Sequence, residues 1–408
     1  MSILIPISIF CAVILTGWII LLWSYRAVLL ALWREPMLRH PVLIIESDDW
    51  GPGPKGHGQQ LHRIAKILER HHDQRGNPAV MTLGVALALP DVKRMALSDY
   101  EQYYRQLLSP VRCPAICDVM RRGTASGVFA VHMQGLERYW PSTLLWAIKA
   151  NEKVKAWLLS DEFPRTEELP AYLQSRWTNA TSLPSRPLSE HQIKAATALE
   201  AKIFARIFGA TPHVVVPPAF CWNNMVEKAW AEAGVRVIVT PGYRCESHDR
   251  DGGMTAKGSL IYNGQMNAYG QMYIVRDDYF EPALGHLAEK GLAALETKST
   301  LGRPTLLESH RLNFVDDPDA ADVALNQLDS LLEEAIKRFP RVIFMSTEKL
   351  AEGLREGAPD FIHRKIMPRI GVWLLRAREI SSLWRWVCLS GMIIPVLLLI
   401  RITRSGYK

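Results

Sequence analysis

Four apolar runs of strand length in this chain end directly in side chains that can do chemistry. LIIES runs into Asp48-Asp49-Trp50 and then breaks at Gly51-Pro52-Gly53, VFAV runs into His132, VVVP into Pro218-Ala219-Phe220-Cys221-Trp222, and TLLES into His310-Arg311. Adjacent carboxylates such as Asp48 and Asp49, with Glu46 just before them, repel one another unless a cation sits between them, and a bound metal ion is the commonest such cation. The plain alternative is a helix cap or turn, both of which aspartate favours. His132 is placed to be a ligand if it faces the acids, or a core histidine bonded to a carbonyl if it does not. His310 stands in a polar cluster, ESHRLNF, as a functional histidine. His57, in the loop after the acids, is a weaker candidate. Trp50, Phe220 and Trp222 either stack on sugar rings or only pack. The stretch Arg276-Asp277-Asp278 also follows an apolar run. It reads equally as a binder of substrate hydroxyls, as a support for the reacting groups, or as a salt-bridged loop.

These residues lie more than 250 positions apart, so the fold must gather them. Apolar runs recur at 42–45, 79–87, 128–131, 214–216, 235–239, 272–275, 305–307 and 342–345. Helical patterns, such as HGQQLHRIAKILERHHD and DVALNQLDSLLEEAIKRF, lie between them with apolar residues at i, i+3, i+4 and i+7. Buried strands alternating with helices predict a parallel sheet covered on both faces. Seven or eight such units, over 41–355, fit a distorted (β/α) barrel, whose active site lies at the C-terminal strand ends. A doubly wound open sheet is the alternative, and no GxGxxG or Walker loop supports its nucleotide-binding forms. The irregular stretch at 140–190 reads as an insertion over the barrel mouth.

The chain has 408 residues, 48% of them apolar, and a formal charge of +7. The basic excess flanks two apolar segments at the ends, which points to a membrane surface. No nucleic-acid motif is visible. Residues 1–25 read as a transmembrane anchor, being about as long as the roughly 20 residues a span needs. Residues 360–385 read as a basic amphipathic juxtamembrane helix, and 386–402 as a second span or a membrane-associated helix. The expectation is therefore an integral protein of the cell membrane. The arginines between the anchors favour a cytoplasmic central domain. Six cysteines without paired CxxC motifs settle neither redox compartment nor zinc ribbon.

The order of motifs, DD-x-G after a first strand, a histidine after a third, a Pro-rich strand end and a late histidine, resembles the polysaccharide deacetylases. These are metal-dependent barrel enzymes that remove acetyl groups from glycans. The resemblance implies Asp48 as general base, His310 as general acid, and Asp49 and His132 as ligands of a divalent metal ion, with Zn²⁺ first. Pro218 falls in its substrate-binding strand end. Leu136 stands where the family has a second histidine, so Glu137 next to it, or His57, is expected to complete the metal site. The family's arginine before the Pro-rich turn is not evident. Trp50, Trp222, Arg311 and Asp277 complete the expected substrate contacts. The expected substrate is a glycan or glycolipid, and a domain outside the cytoplasm suits it, against the flanking charges. A metal-independent glycoside hydrolase, and a degenerate barrel that only binds glycans in a polysaccharide assembly system, are the competing readings.

Overall fold

The computed structural model describes residues 4–257 and 260–404. Its centre is one sheet of nine strands among the described residues: β1 (Val42–Trp50), β2 (Met81–Ala86), β3 (Phe129–Gly135), β4 (Val214–Val215), β5 (Val237–Thr240), β6 (Met272–Val275), β7 (Asp278–Tyr279), β8 (Thr305–His310) and β9 (Ile343–Phe344). The order is β6-β5-β4-β3-β2-β1-β8-β7, with β9 paired to β1. All of these pairings are parallel. Each of the eight runs expected from the sequence contributes a strand, and β7 is additional.

The sheet is a curled half-barrel of eight strands in line, rather than an evenly closed barrel. Its two outer strands, β6 and β7, are consecutive in the chain, with only Arg276 and Asp277 between them. One stretch of chain thus pairs with β5 by its first part and with β8 by its second. It is interrupted where Arg276, 1% exposed, is drawn into the interior.

Strand alternation sorts the side chains into two layers. Val42, Ile44, Leu306, Val237, Val239, Met272 and Ile274 form an inner apolar cluster. Leu43, Ile45, Leu83, Met133, Ile238 and Leu307 face outward and pack into the larger cluster beneath the helices. On the inward row of β1 the residues after Ile44 are Glu46 and Asp48, and on β8 those after Leu306 are Glu308 and His310. The barrel therefore has an apolar floor and a charged rim. Helix Glu190–Phe208 shows why the covering helices form where they do. Ser189 and Gln192 make a reciprocal capping box, and Gly209, at φ 73°, ends the helix in the left-handed region.

The insertion is more regular than its composition implies. Helices Pro141–Ala150 and Glu152–Leu159 build a small separate core with Leu169 and Leu173, joined by Met95 and Tyr139 from outside the insertion. It is tied to the barrel by Arg176, which pairs with Glu137 and Glu200 with all three side chains buried.

No single helix among the described residues is long and apolar enough to cross a membrane. Two bent pairs have the length and composition together: Ala12–Ser24 with Arg26–Arg34, bent by 62°, and Ser381–Leu389 with Ile393–Thr403, bent by 113°. The first three residues of the expected N-terminal anchor lie outside the described ones. The two ends of the chain meet, since a Cβ on Gly17 would stand 2.4 Å from the Trp386 ring. Arg376, in helix Ile366–Ala377, joins this collar to the barrel. Its guanidinium donates to the carbonyls of Leu301, Leu32, Glu35, Pro36 and Gly302 at 2.9–3.3 Å.

Candidate active site

The C-terminal rim is organised around Arg276. Its Nη1 donates to Glu46 at 2.9 Å and Asp48 at 3.1 Å, and its Nη2 donates to the other Asp48 oxygen at 2.7 Å. Its Nε lies 3.2 Å from Glu308. Phe220 lies against the same guanidinium, with its ring centroid 5.5 Å away. The Pro217-Pro218 turn presents that ring by holding Ala219 and Phe220 at φ 52° and 49°, a costly backbone for residues with side chains. Thr347 donates a short hydrogen bond to the second oxygen of Glu46. Three acids that would repel one another are thus held by one fork-shaped cation, whose planar donors match carboxylates.

Asp48 and His310 are direct partners across the β1/β8 ladder. Below Asp48 the neighbouring strand carries Gly84, where an added Cβ would lie 2.3 Å from Asp48 Oδ1. Glycine leaves the room that this carboxylate occupies. Burial alone would raise the Asp48 carboxyl, but the charge and hydrogen bonds of Arg276 outweigh it and hold the group below its ordinary range. Glu46 and Glu308 are instead pushed up by burial, against the pull of Arg276. His310 makes a short hydrogen bond through Nδ1 to Glu281, which Asn313 also holds. Burial works against its protonation, but the Glu281 bond and the nearby Asp49, Glu281 and Asp48 charges prevail and raise it to about 9. Its Nε2 lies 3.6 Å from Glu308 and remains the open donor.

Asp49 faces a different cation. β1 shifts register between Ser47 and Trp50, and Asp49 takes φ 70°. Its amide donates to Gln134 at 3.0 Å, and its carboxylate forms a close ion pair with Arg138. Burial raises the Asp49 carboxyl, and Arg138 opposes the shift. Around the mouth, Glu167 of the insertion pairs with Arg311 at 3.2 Å. His132 is 1% exposed, neither ring nitrogen has a hydrogen-bond partner, and its closest acid is Glu46 at 3.8 Å. Burial holds its imidazole neutral, lowering it to about 3.

The structure therefore brings Asp48, Asp49, His132, His310 and Arg311 to one rim. Glu137 is engaged elsewhere, its two oxygens taken by Arg105 and Arg176. Trp50 and Trp222 are fully enclosed, bonding to Ser47 and Glu227, and present no open ring face to a sugar. Pro218 is buried in the turn that presents Phe220. Asp277 points away from the rim and pairs with Lys298 at 2.5 Å.

By distance, one group among the described residues could hold a metal ion: Asp48, Glu308 and His310, whose ligand atoms lie within 4.8 Å of one another. It differs from the expected Asp49, His132 and Glu137 set. As arranged, the expected set does not fit a dication, since Arg138 covers Asp49 and two arginines occupy Glu137. In the Asp48–Glu308–His310 group, Arg276 competes for both Asp48 oxygens, while His310 keeps Nε2 clear of its Glu281 bond.

Several site residues escaped the sequence reading. Arg276 had a visible signal, its place straight after an apolar run, yet a loop reading explained it equally well. Glu308 lies inside the quoted TLLES run. Arg138, Glu167 and Glu281 come from irregular connections and carry no local pattern.

Residues 138–370 match glycosyl hydrolase family 57, more than half of the chain, and the protein belongs to that family. It is a carbohydrate-active hydrolase fold. Among solved structures it is similar to the 4-alpha-glucanotransferase of Thermococcus litoralis, with 9% identity and a TM-score of 0.41 over 86% of this chain and 46% of that one. A family 57-type branching enzyme from Pyrococcus horikoshii shares 9% identity, TM-score 0.41, over 77% and 70% of the two chains. A family 4 acetyl xylan esterase from Clostridium thermocellum, solved with a cobalt ion, shares 12% identity, TM-score 0.35, over 78% and 94%. No curated protein matches the chain.

Proposed function

We propose that this protein hydrolyses acyl groups, acetyl first among them, from a glycan or glycolipid at the surface of the cell membrane. The observation that carries this is the Asp48–His310 pair: in register on adjacent strands, each held from behind by its own partner, Arg276 and Glu281. Asp48 takes the proton of an attacking water, and Nε2 of His310 donates one to the leaving amine or alcohol. Each transfer typically contributes about 10²- to 10⁴-fold. The membrane part rests on the bent helix pairs, which expose Leu15, Ile19, Ile20, Trp23, Ile394, Leu398 and Ile402. Exposed large apolar side chains concentrated on these helices point to a membrane or a partner. Tethering would raise the local concentration of enzyme on a membrane-presented glycan.

The test is acetate release from N- and O-acetylated glycans by the full-length protein in detergent. Asp48→Asn and His310→Gln should each lower the rate at least about 10²-fold with the fold intact.

One observation favours a second reading, glycosidic cleavage. Asp48 and Glu308 present carboxylate oxygens no more than 4.8 Å apart, a close pair of the kind retaining glycosidases use at about 5–5.5 Å. Asp48 would then be the nucleophile and the raised Glu308 the acid. New reducing ends without acetate, lost in Glu308→Gln but surviving in His310→Gln, would overturn the acyl reading.

A further inference from the structure

The strongest disagreement between the resemblance and the structure lies at Asp49. The residue expected to hold a metal instead touches a permanently charged guanidinium. Arg138 reaches Asp49 Oδ2 through Nη1, is 8% exposed, and has no well-aligned acceptor for Nε or Nη1. Its one other bond is a long one, 3.4 Å from Nη2 to Gln174. Its charge acts on both Asp48 and Asp49. The segment that should supply the remaining ligands is committed to packing. Leu136 is fully buried with its amide on Glu200, and Glu137 is held by Arg105 and Arg176. A desolvated arginine next to a reacting pair supplies the charge-stabilising part of a metal ion's work by hydrogen bonding, without coordinating water. It is charged, preorganised and able to bind developing negative charge.

We propose that Arg138 takes the place of a metal ion in this site, holding Asp49 through Nη1 and offering its unpartnered Nε–H to the oxyanion of the reacting carbonyl. The inference rests on the acyl-hydrolase reading for its substrate. As the water oxygen bonds to the carbonyl carbon, its proton passes to Asp48 and the carbonyl π electrons move onto oxygen, beside Arg138. When the tetrahedral species collapses, the bond to the leaving nitrogen or oxygen breaks, and that atom takes the proton of His310. No divalent ion enters the balance.

The test uses Zn²⁺ alone as probe, so it stands even if no acyl substrate is found. Full-length protein in detergent, stripped with chelator, is titrated calorimetrically. Wild type and Arg138→Lys should bind no stoichiometric ion. Arg138→Ala, which removes the competing cation from Asp49, should bind Zn²⁺ at least about tenfold more tightly, because a like charge within a few ångströms disfavours a second cation. Arg138→Ala combined with Asp49→Asn should lose that gain. One tightly held ion per wild-type chain, released by Asp49→Asn, would overturn the proposal, as would an unchanged affinity in Arg138→Ala. Should Arg138→Ala fail to fold, the wild-type and Arg138→Lys titrations decide by themselves. Acetate release that survives chelation but falls at least about 10²-fold in Arg138→Ala, with partial rescue in Arg138→Lys, would show the oxyanion role. Absence of any acetate release would count against the acyl-hydrolase reading and leave the zinc result standing.

Discussion

Arg276 at the rim and Arg376 at the collar are both almost wholly enclosed, 1% and 2% exposed, yet they do different work because their partners differ. Arg276 is surrounded by carboxylates of Glu46, Asp48 and Glu308; its charge holds Asp48 low against burial and opposes the burial that raises the other two. Arg376 is surrounded mainly by backbone carbonyls. It donates to carbonyls at the end of helix Arg26–Arg34, just beyond it, and in the 301–302 turn. It thereby fixes the orientation of the chain ends on the barrel. The same side chain is a chemical control where it meets ionisable groups and a structural rivet where it meets peptide oxygens.

The comparison can be broken most directly by treating both arginines alike. Arg276→Met leaves three acids without their cation. It should cost about 3–5 kcal/mol of stability and lower the proposed acyl hydrolysis by at least about 10³-fold in the surviving folded fraction. Arg376→Met should lower the thermal midpoint by a comparable amount, but leave the rate per folded molecule within about twofold, because distant sites act independently. Thermal melts and rates normalised to folded protein read both. Equal losses of rate in the two variants would erase the distinction.

A smaller effect sharpens the catalytic half. Gly84→Ala puts a methyl group against Asp48 while leaving every charge in place. A displacement of about 1 Å at the reacting carboxylate should slow the reaction by about 10- to 100-fold, with only about 1–3 kcal/mol lost from overpacking. An unchanged rate would mean that Asp48 is not held where its chemistry requires.

The mildest test concerns pH. His57 is lowered from 6.5 to about 4, first by burial and then by Arg311. The folded chain therefore refuses a proton that the unfolded chain accepts, and stability falls as pH drops from about 6.5 towards 4. His57→Gln should flatten that acid limb in a melting-temperature series from pH 7 to pH 4. A limb as steep as wild type would place the titration elsewhere.

Much of the scaffold was legible because it is repetitive. Eight apolar runs announced eight strands, and 3.6-residue patterns announced the covering helices. The inward position of Asp48 and His310 followed from strand ends that stop in polar residues. Legibility failed where the chain is irregular or where one residue serves two strands. Glu281 and Glu167 sit in loops whose sequences resemble any solvated turn. The split between β6 and β7 is invisible because nothing local distinguishes Arg276-Asp277 from an ordinary connection. The apolar ends were read as a transmembrane anchor and as a second span or membrane-associated helix, and their bends of 62° and 113° were not foreseen, because composition reports apolarity but not bends.

By itself the sequence determined the parallel α/β scaffold, the apolar ends and the acids and imidazoles gathered at the strand termini, since periodicity and composition act locally. Only the tertiary structure decided which cation each acid meets. Arg276 lies 228 residues from Asp48, and Arg138 meets Asp49 across the rim. Ion pairing depends on the inverse of distance through a poorly screening interior, and distance in space is the one quantity that linear order does not carry.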